Sequence, residues 1–164
     1  MLRTVGVEEE LLLVHPDSGE PRPWSAAVLD RAAQDDPGQA VFQTELFGQM
    51  LELATSPQRD MAELGAEIVG CRKEAGRLAG EIGCAVAALA TYPLPVDPAL
   101  TRHERYHWMA GRFGAAMVDW FVCGCHVHVS GVSDQVGGAR RVRLPAGGRV
   151  VGARSAHTPR GRGR

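Results

Sequence analysis

The 164-residue sequence contains no apolar run approaching the ~20 residues of a membrane-spanning helix; its longest, Cys84 to Ala90, is strand-sized. It lacks a basic start leading into an apolar stretch and a small-residue cleavage site, so no secretory signal is read and a cytoplasmic location with no membrane partner is expected. Cys71, Cys84, Cys123 and Cys125 follow no disulfide-framework spacing, and reduced thiols are the reading. Aromatic residues are scarce at 5%, and the Arg-rich end has none. Without interleaved aromatics for bases to stack on, that end argues against a nucleic-acid binder. The formal net charge of −1 hides an uneven distribution. Residues 131–164 hold eight Arg against a single acid, Asp134, and the rest of the chain is acidic. What is present in ordinary measure is apolar content, 45%, enough for most of the chain to build one core.

The most informative stretch is Thr4-Val5-Gly6-Val7-Glu8-Glu9-Glu10-Leu11-Leu12-Leu13-Val14, three consecutive carboxylates between aliphatic runs. Extended geometry puts Glu8 and Glu10 on one face and Glu9 on the other. Carboxylates directed into an apolar layer are costly unless something compensates them. Hard oxygen donors suit Mg²⁺ or Mn²⁺, which makes a divalent cation the expected compensator.

Local pattern predicts strands at 4–14, 41–45, 50–55, 84–91 and 121–130. A helix over 25–33 opens at Ser25, and a longer one over 61–81 carries its apolar stripe on Met61, Leu64, Ile68, Cys71, Ala75 and Leu78. Asp60 with Glu63 resembles a capping box, and Gly83 ends this helix. A further helix is predicted over 103–118, with Tyr106, Met109, Phe113 and Met117 on one face. The sum is an α+β fold, a largely antiparallel sheet with helices on one face. Beyond Gly131 no periodicity persists, and Gly and Arg dominate. Residues 133–164 therefore read as a disordered Arg/Gly-rich tail, following a folded unit over 1–132.

A second constellation is Cys123-Gly124-Cys125-His126-Val127-His128-Val129-Ser130. Strand alternation places the thiols on one face and both imidazoles with Ser130 on the other, so Cys and His cannot close one zinc tetrahedron. What remains is a face bearing two imidazoles beside a glycine that admits a ligand closely. Glu45 and Glu52 lie seven apart, an odd separation that places them on opposite faces of one regular strand; a turn or bulge at Gly48 would reunite them. Arg105, near a helix start, is a candidate to hold a carboxylate.

These segments, with Thr44-Glu45-Leu46-Phe47 and Leu51-Glu52-Leu53-Ala54-Thr55 between them, resemble the bacterial glutamate–cysteine ligase type 2 family of ATP-dependent carboxylate–amine ligases, within the glutamine synthetase-like superfamily. The resemblance covers about residues 4–132, the N-terminal portion of such a protein. It implies a truncated glutamine synthetase-like catalytic fold. It implies synthesis of γ-glutamylcysteine from glutamate, cysteine (or another amine) and ATP, through an acyl phosphate. It also implies Glu8, Glu10, Glu45, Glu52 and His128 as Mg²⁺ (or Mn²⁺) ligands, and His126 and Arg105 as substrate or nucleotide contacts. After Asp134 the pattern dissolves, and a shift of reading frame at about 134–138 is expected. The alternative is a non-catalytic remnant that binds metal or nucleotide, or forms a homo-oligomer through an open sheet edge.

Overall fold

The computed structural model describes residues 3–35, 41–114 and 121–130. The Arg/Gly-rich tail and the last part of the expected 103–118 helix lie outside the described residues.

Strand β1 (Val5–Val14) is the spine of a five-stranded sheet in which every ladder is antiparallel. Along one edge it pairs with β3 (Met50–Ala54), which in turn pairs with β2 (Phe42–Thr44). Its other edge is shared. Residues 12–14 pair with β4 (Ala85–Ala87), and residues 5–9 pair with β5 (Cys125–Val129). This division explains why β4 is shorter than the 84–91 run suggests: past Ala87 the edge of β1 already belongs to the segment entering β5.

The sheet has two unlike faces. Leu11, Leu13, Leu51 and Leu53 project to one side and pack with α1 (Ser25–Asp35) and α2 (Met61–Glu81) through Val28, Ala75, Leu78 and Ala79. The helices α1 and α2 thus share a face, whereas the third described helix lies on the other, so the expectation of helices on one face holds for these two alone among the described helices. Asp60 caps α2, its carboxylate accepting from the amides of Ala62 (2.6 Å) and Glu63 (3.2 Å). Gly83, at φ +74°, ends the helix in the left-handed conformation that glycine tolerates best. Arg77 of α2 ties the pair of helices together, donating to Asp35 of α1 and to Glu74 and Glu81 of its own helix.

Leu12, Val14 and Met50 project to the opposite side with Phe47, where α3 (Glu104–Phe113) lies against them through Tyr106, Met109 and Ala110. This helix starts at His103, whose Nδ1 accepts from the Arg105 amide, and stops at Gly114, φ +52°. Phe113, expected on the buried stripe, is instead exposed and meets Trp108 edge-on. Phe113 is the last residue of the helix, next to its Gly114 cap.

Candidate functional site

Face alternation on β1 sets the site. The side that α3 covers near Leu12 and Val14 continues along the same strand into Glu10, Glu8 and Gly6, and there it is open. The ladders bring matching residues to it. Glu10 stands directly opposite Glu52 of β3, and Glu8 stands opposite His126 of β5. Gly6 is opposite His128. The sequence-predicted pairs therefore share one surface, and they do so because antiparallel partners in register point the same way.

Glu45 follows β2, and the turn through Phe47, Gly48 and Gln49 brings the chain back into β3. That turn overcomes the odd separation from Glu52: Glu45 acts electrostatically on both Glu10 and Glu52. Its position is fixed from the α3 side. The hydroxyl of Thr101 donates to the Glu45 carbonyl at 2.6 Å, and Tyr106 donates to the Thr44 carbonyl at 3.2 Å. Buried Gln49 completes the tie, donating to the Asp97 carbonyl and accepting from the Ala99 amide.

Glu8 and Glu10 have distinct local partners. Glu8 Oε2 lies 2.9 Å from His128 Nε2 and 3.6 Å from His126 Nδ1. Glu10 Oε2 accepts from the Gly124 amide at 2.7 Å. Burial raises the Glu10 carboxyl above its ordinary range; the Gly124 amide opposes that, and neighbouring Glu45 and Glu8 add to it. Glu52 is raised likewise, first by burial and then by Glu45, Glu8 and Glu10. Glu8, Glu10, Glu45 and Glu52 thus act on one another across this face.

The donor set fits a hard divalent ion in atom type and charge. Among the described residues, no three His, Cys, Asp or Glu side chains converge on one point as they stand. A cation would have to draw them from their present hydrogen bonds. Arg105 is exposed on α3, with its guanidinium 6.0 Å from the Tyr106 ring centre.

Two features of the site are not legible as motifs. Glu9, the middle residue of the triplet, is buried on the helix side and held by Arg72 of α2 through Nε (2.7 Å) and Nη2 (2.5 Å). A basic residue on the sheet-facing side of α2 was the available signal. Cys123, expected beside Cys125, packs instead with the Leu12 cluster on the α3 side. Alternation fails there because regular pairing of β5 begins only at Cys125 and Gly124 is turned toward Glu10. Burial, with nearby Glu10, pushes the Cys123 thiol up to about 12. A cavity of about 330 Å³ adjoins the face, walled by Glu8, His128, Thr55 and Ser130 and floored at Gly6.

The family model described as glutamate–cysteine ligase family 2 matches residues 4–144. Two Streptomyces proteins provisionally named as glutamate–cysteine ligases 2 resemble the chain over 163 residues, 99% of it. The one from Streptomyces avermitilis is 60% identical and the one from Streptomyces coelicolor 58%. The match spans 45% of each, so the chain spans less than half the length of these relatives. A Frankia alni relative of the same provisional name is 39% identical over 87% of the chain and 41% of its own length. Among solved structures, a bifunctional glutathione synthetase from Pasteurella multocida superposes with a TM-score of 0.58 at 19% identity, over 77% of this chain and 17% of that one, which is a likeness of fold. The chain belongs to glutamate–cysteine ligase family 2.

Proposed function

We propose that the chain carries the cation-binding part of an ATP-dependent carboxylate–amine ligase, of the type that joins glutamate to cysteine or another amine. The observation that carries this reading is the gathering of Glu8, Glu10, Glu45 and Glu52 on one open sheet face, with Glu10 and Glu52 directly opposed. Like charges placed opposite one another destabilise a sheet, and such a cost is retained where a ligand relieves it.

In such a ligase the γ-phosphoryl group of ATP passes to a substrate carboxylate, ADP leaves, and the amine displaces phosphate from the acyl phosphate. Substrate carboxylate and triphosphate repel each other, and bound Mg²⁺ or Mn²⁺ supplies the charge neutralisation that lets them meet. Glu8, Glu10, Glu45, Glu52 and His128 would hold that cation. His126, beside Glu8 and Glu10, is assigned to nucleotide or substrate, and exposed Arg105 to a substrate carboxylate. The α3 layer over Leu12, Val14 and Met50 excludes water from one end of the face.

The test is a Mg²⁺ or Mn²⁺ titration of the intact chain followed by thermal shift, with Glu8→Gln/Glu10→Gln as the comparison. Saturable stabilisation that disappears in the double variant supports the reading; equal behaviour of both proteins refutes it. ATP turnover with glutamate and cysteine is measured alongside. Ion uptake without turnover favours the non-catalytic alternative.

A further inference from the structure

We infer that Arg72 is a positioning residue for the acidic face: by clamping Glu9 from the helix side, it orients β1 so that Glu8 and Glu10 present their carboxylates on the other. Glu9 is the one buried carboxylate of the triplet, with its side chain 8% exposed. It stands in register with Leu53 of β3 and Cys125 of β5, so, like Glu8, it is paired on both edges of β1. Arg72 engages it with two donors, Nε on Oε2 and Nη2 on Oε1.

A planar fork on a planar carboxylate fixes orientation as well as distance, which an ammonium on a flexible stem does not. The base of the fork is firm, because the neighbouring Cys71 and Ala75 of α2 pack in the leucine core. Successive strand side chains oppose one another, so whatever fixes the helix-side direction of Glu9 fixes the directions of Glu8 and Glu10 as well. The effect reaches β5. The Gly124 amide donates to the Glu10 carboxylate and the Gly124 carbonyl accepts from the Glu10 amide, next to the Glu9–Cys125 pair. Loosening β1 at Glu9 therefore loosens this double contact.

The metal-binding arm of the test rests on the proposed function; the other arm does not. In the intact chain, amide hydrogen exchange at Gly124 and Mn²⁺ affinity are measured for Arg72→Met, Arg72→Lys and Glu9→Gln/Arg72→Met. Leu78→Ala, a core truncation that leaves both members of the Glu9–Arg72 pair in place, serves as the stability control. Arg72→Met should speed Gly124 exchange at least tenfold beyond the control and weaken Mn²⁺ at least tenfold. Arg72→Lys should restore the melting temperature more fully than it restores Gly124 protection. The neutral double variant keeps a folded comparison should Arg72→Met alone unfold, and it too should show fast Gly124 exchange. If Gly124 exchange in the Arg72 variants merely follows global stability, as in Leu78→Ala, the inference is overturned. If the unsubstituted chain takes up no Mn²⁺, the cation reading falls and Gly124 exchange alone decides the role of Arg72.

Discussion

Gly124 holds Glu10 at two points, its amide donating to the carboxylate at 2.7 Å and its carbonyl accepting the Glu10 amide at 3.0 Å. A side chain fits in this arrangement only if its neighbours give way by a few tenths of an ångström. A Cβ at position 124 would lie 3.1 Å from His126 Nε2, 3.2 Å from its Cε1 and 3.3 Å from Glu10 Oε1. Gly124→Ala is therefore expected to swing the His126 ring away from Glu10 and weaken divalent-ion binding several-fold. The stability cost should stay near 1 kcal/mol, because the His126 ring is exposed and free to move. Titration and thermal melting of Gly124→Ala and of His126→Ala check this: if displacement of the ring is the cause, the two variants lose affinity alike.

Glu52→Gln should stabilise the metal-free chain at pH 7 by about 0.5–1 kcal/mol, since it removes a like charge directly opposite Glu10. The same substitution should weaken divalent-ion binding. Denaturant melts with and without Mg²⁺ separate the two effects, and a destabilised metal-free variant would contradict the repulsion argument.

The pH profile carries the same signature. Glu10 and Glu52 have raised carboxyl pKa values in the fold, chiefly through burial, so the folded chain binds protons more readily than the unfolded chain at these positions. Their contribution makes stability rise as pH falls from 7 toward the ordinary carboxylate range. Below that range the trend reverses, because Glu67, lowered by Gln58 and the Ser56 amide, and Glu74, lowered by Arg77, lose their favourable contacts on protonation. Urea midpoints from pH 7 to pH 3 should thus pass through a maximum, and Glu10→Gln/Glu52→Gln should flatten its neutral side.

The four thiols are free and unequal. Cys125 is exposed, while burial and Glu10 push Cys123 up to about 12. Iodoacetamide at pH 8 should modify Cys125 at least tenfold faster than Cys123, because the thiolate is the reacting form. Peptide mass spectrometry over time reads the two rates, and equal rates would place Cys123 outside the Leu12 cluster.

Leu13→Ala should cost about 3 kcal/mol, since Leu13 is fully buried among Leu11, Leu51 and Leu53 beneath the two long helices. A denaturant series measures it. A loss under 1 kcal/mol would mean that the leucine layer is not the main core.

Much of this was written in local pattern. The 3.6-residue stripe of α2 and its Asp60 cap place that helix to the residue, and two-residue alternation puts Glu8 with Glu10 and His126 with His128. What local pattern could not supply was pairing at a distance. Arg72 is 63 residues from Glu9, and nothing in either neighbourhood names the other. The shortness of β4 follows from how β1 divides its edge, which only the assembled sheet decides. Cys123 departs from alternation because Gly124 is turned back to Glu10, a contact between residues 114 apart.

The split of the Glu triplet makes the chain sensitive to parity. Inserting one residue between Glu10 and Leu11 would send two carboxylates beneath α2, where a single arginine awaits one of them, and leave the open face with one acid from this strand. A two-residue change would restore the sidedness, though not the partners. Length variation in this segment should therefore be tolerated, if at all, in even steps.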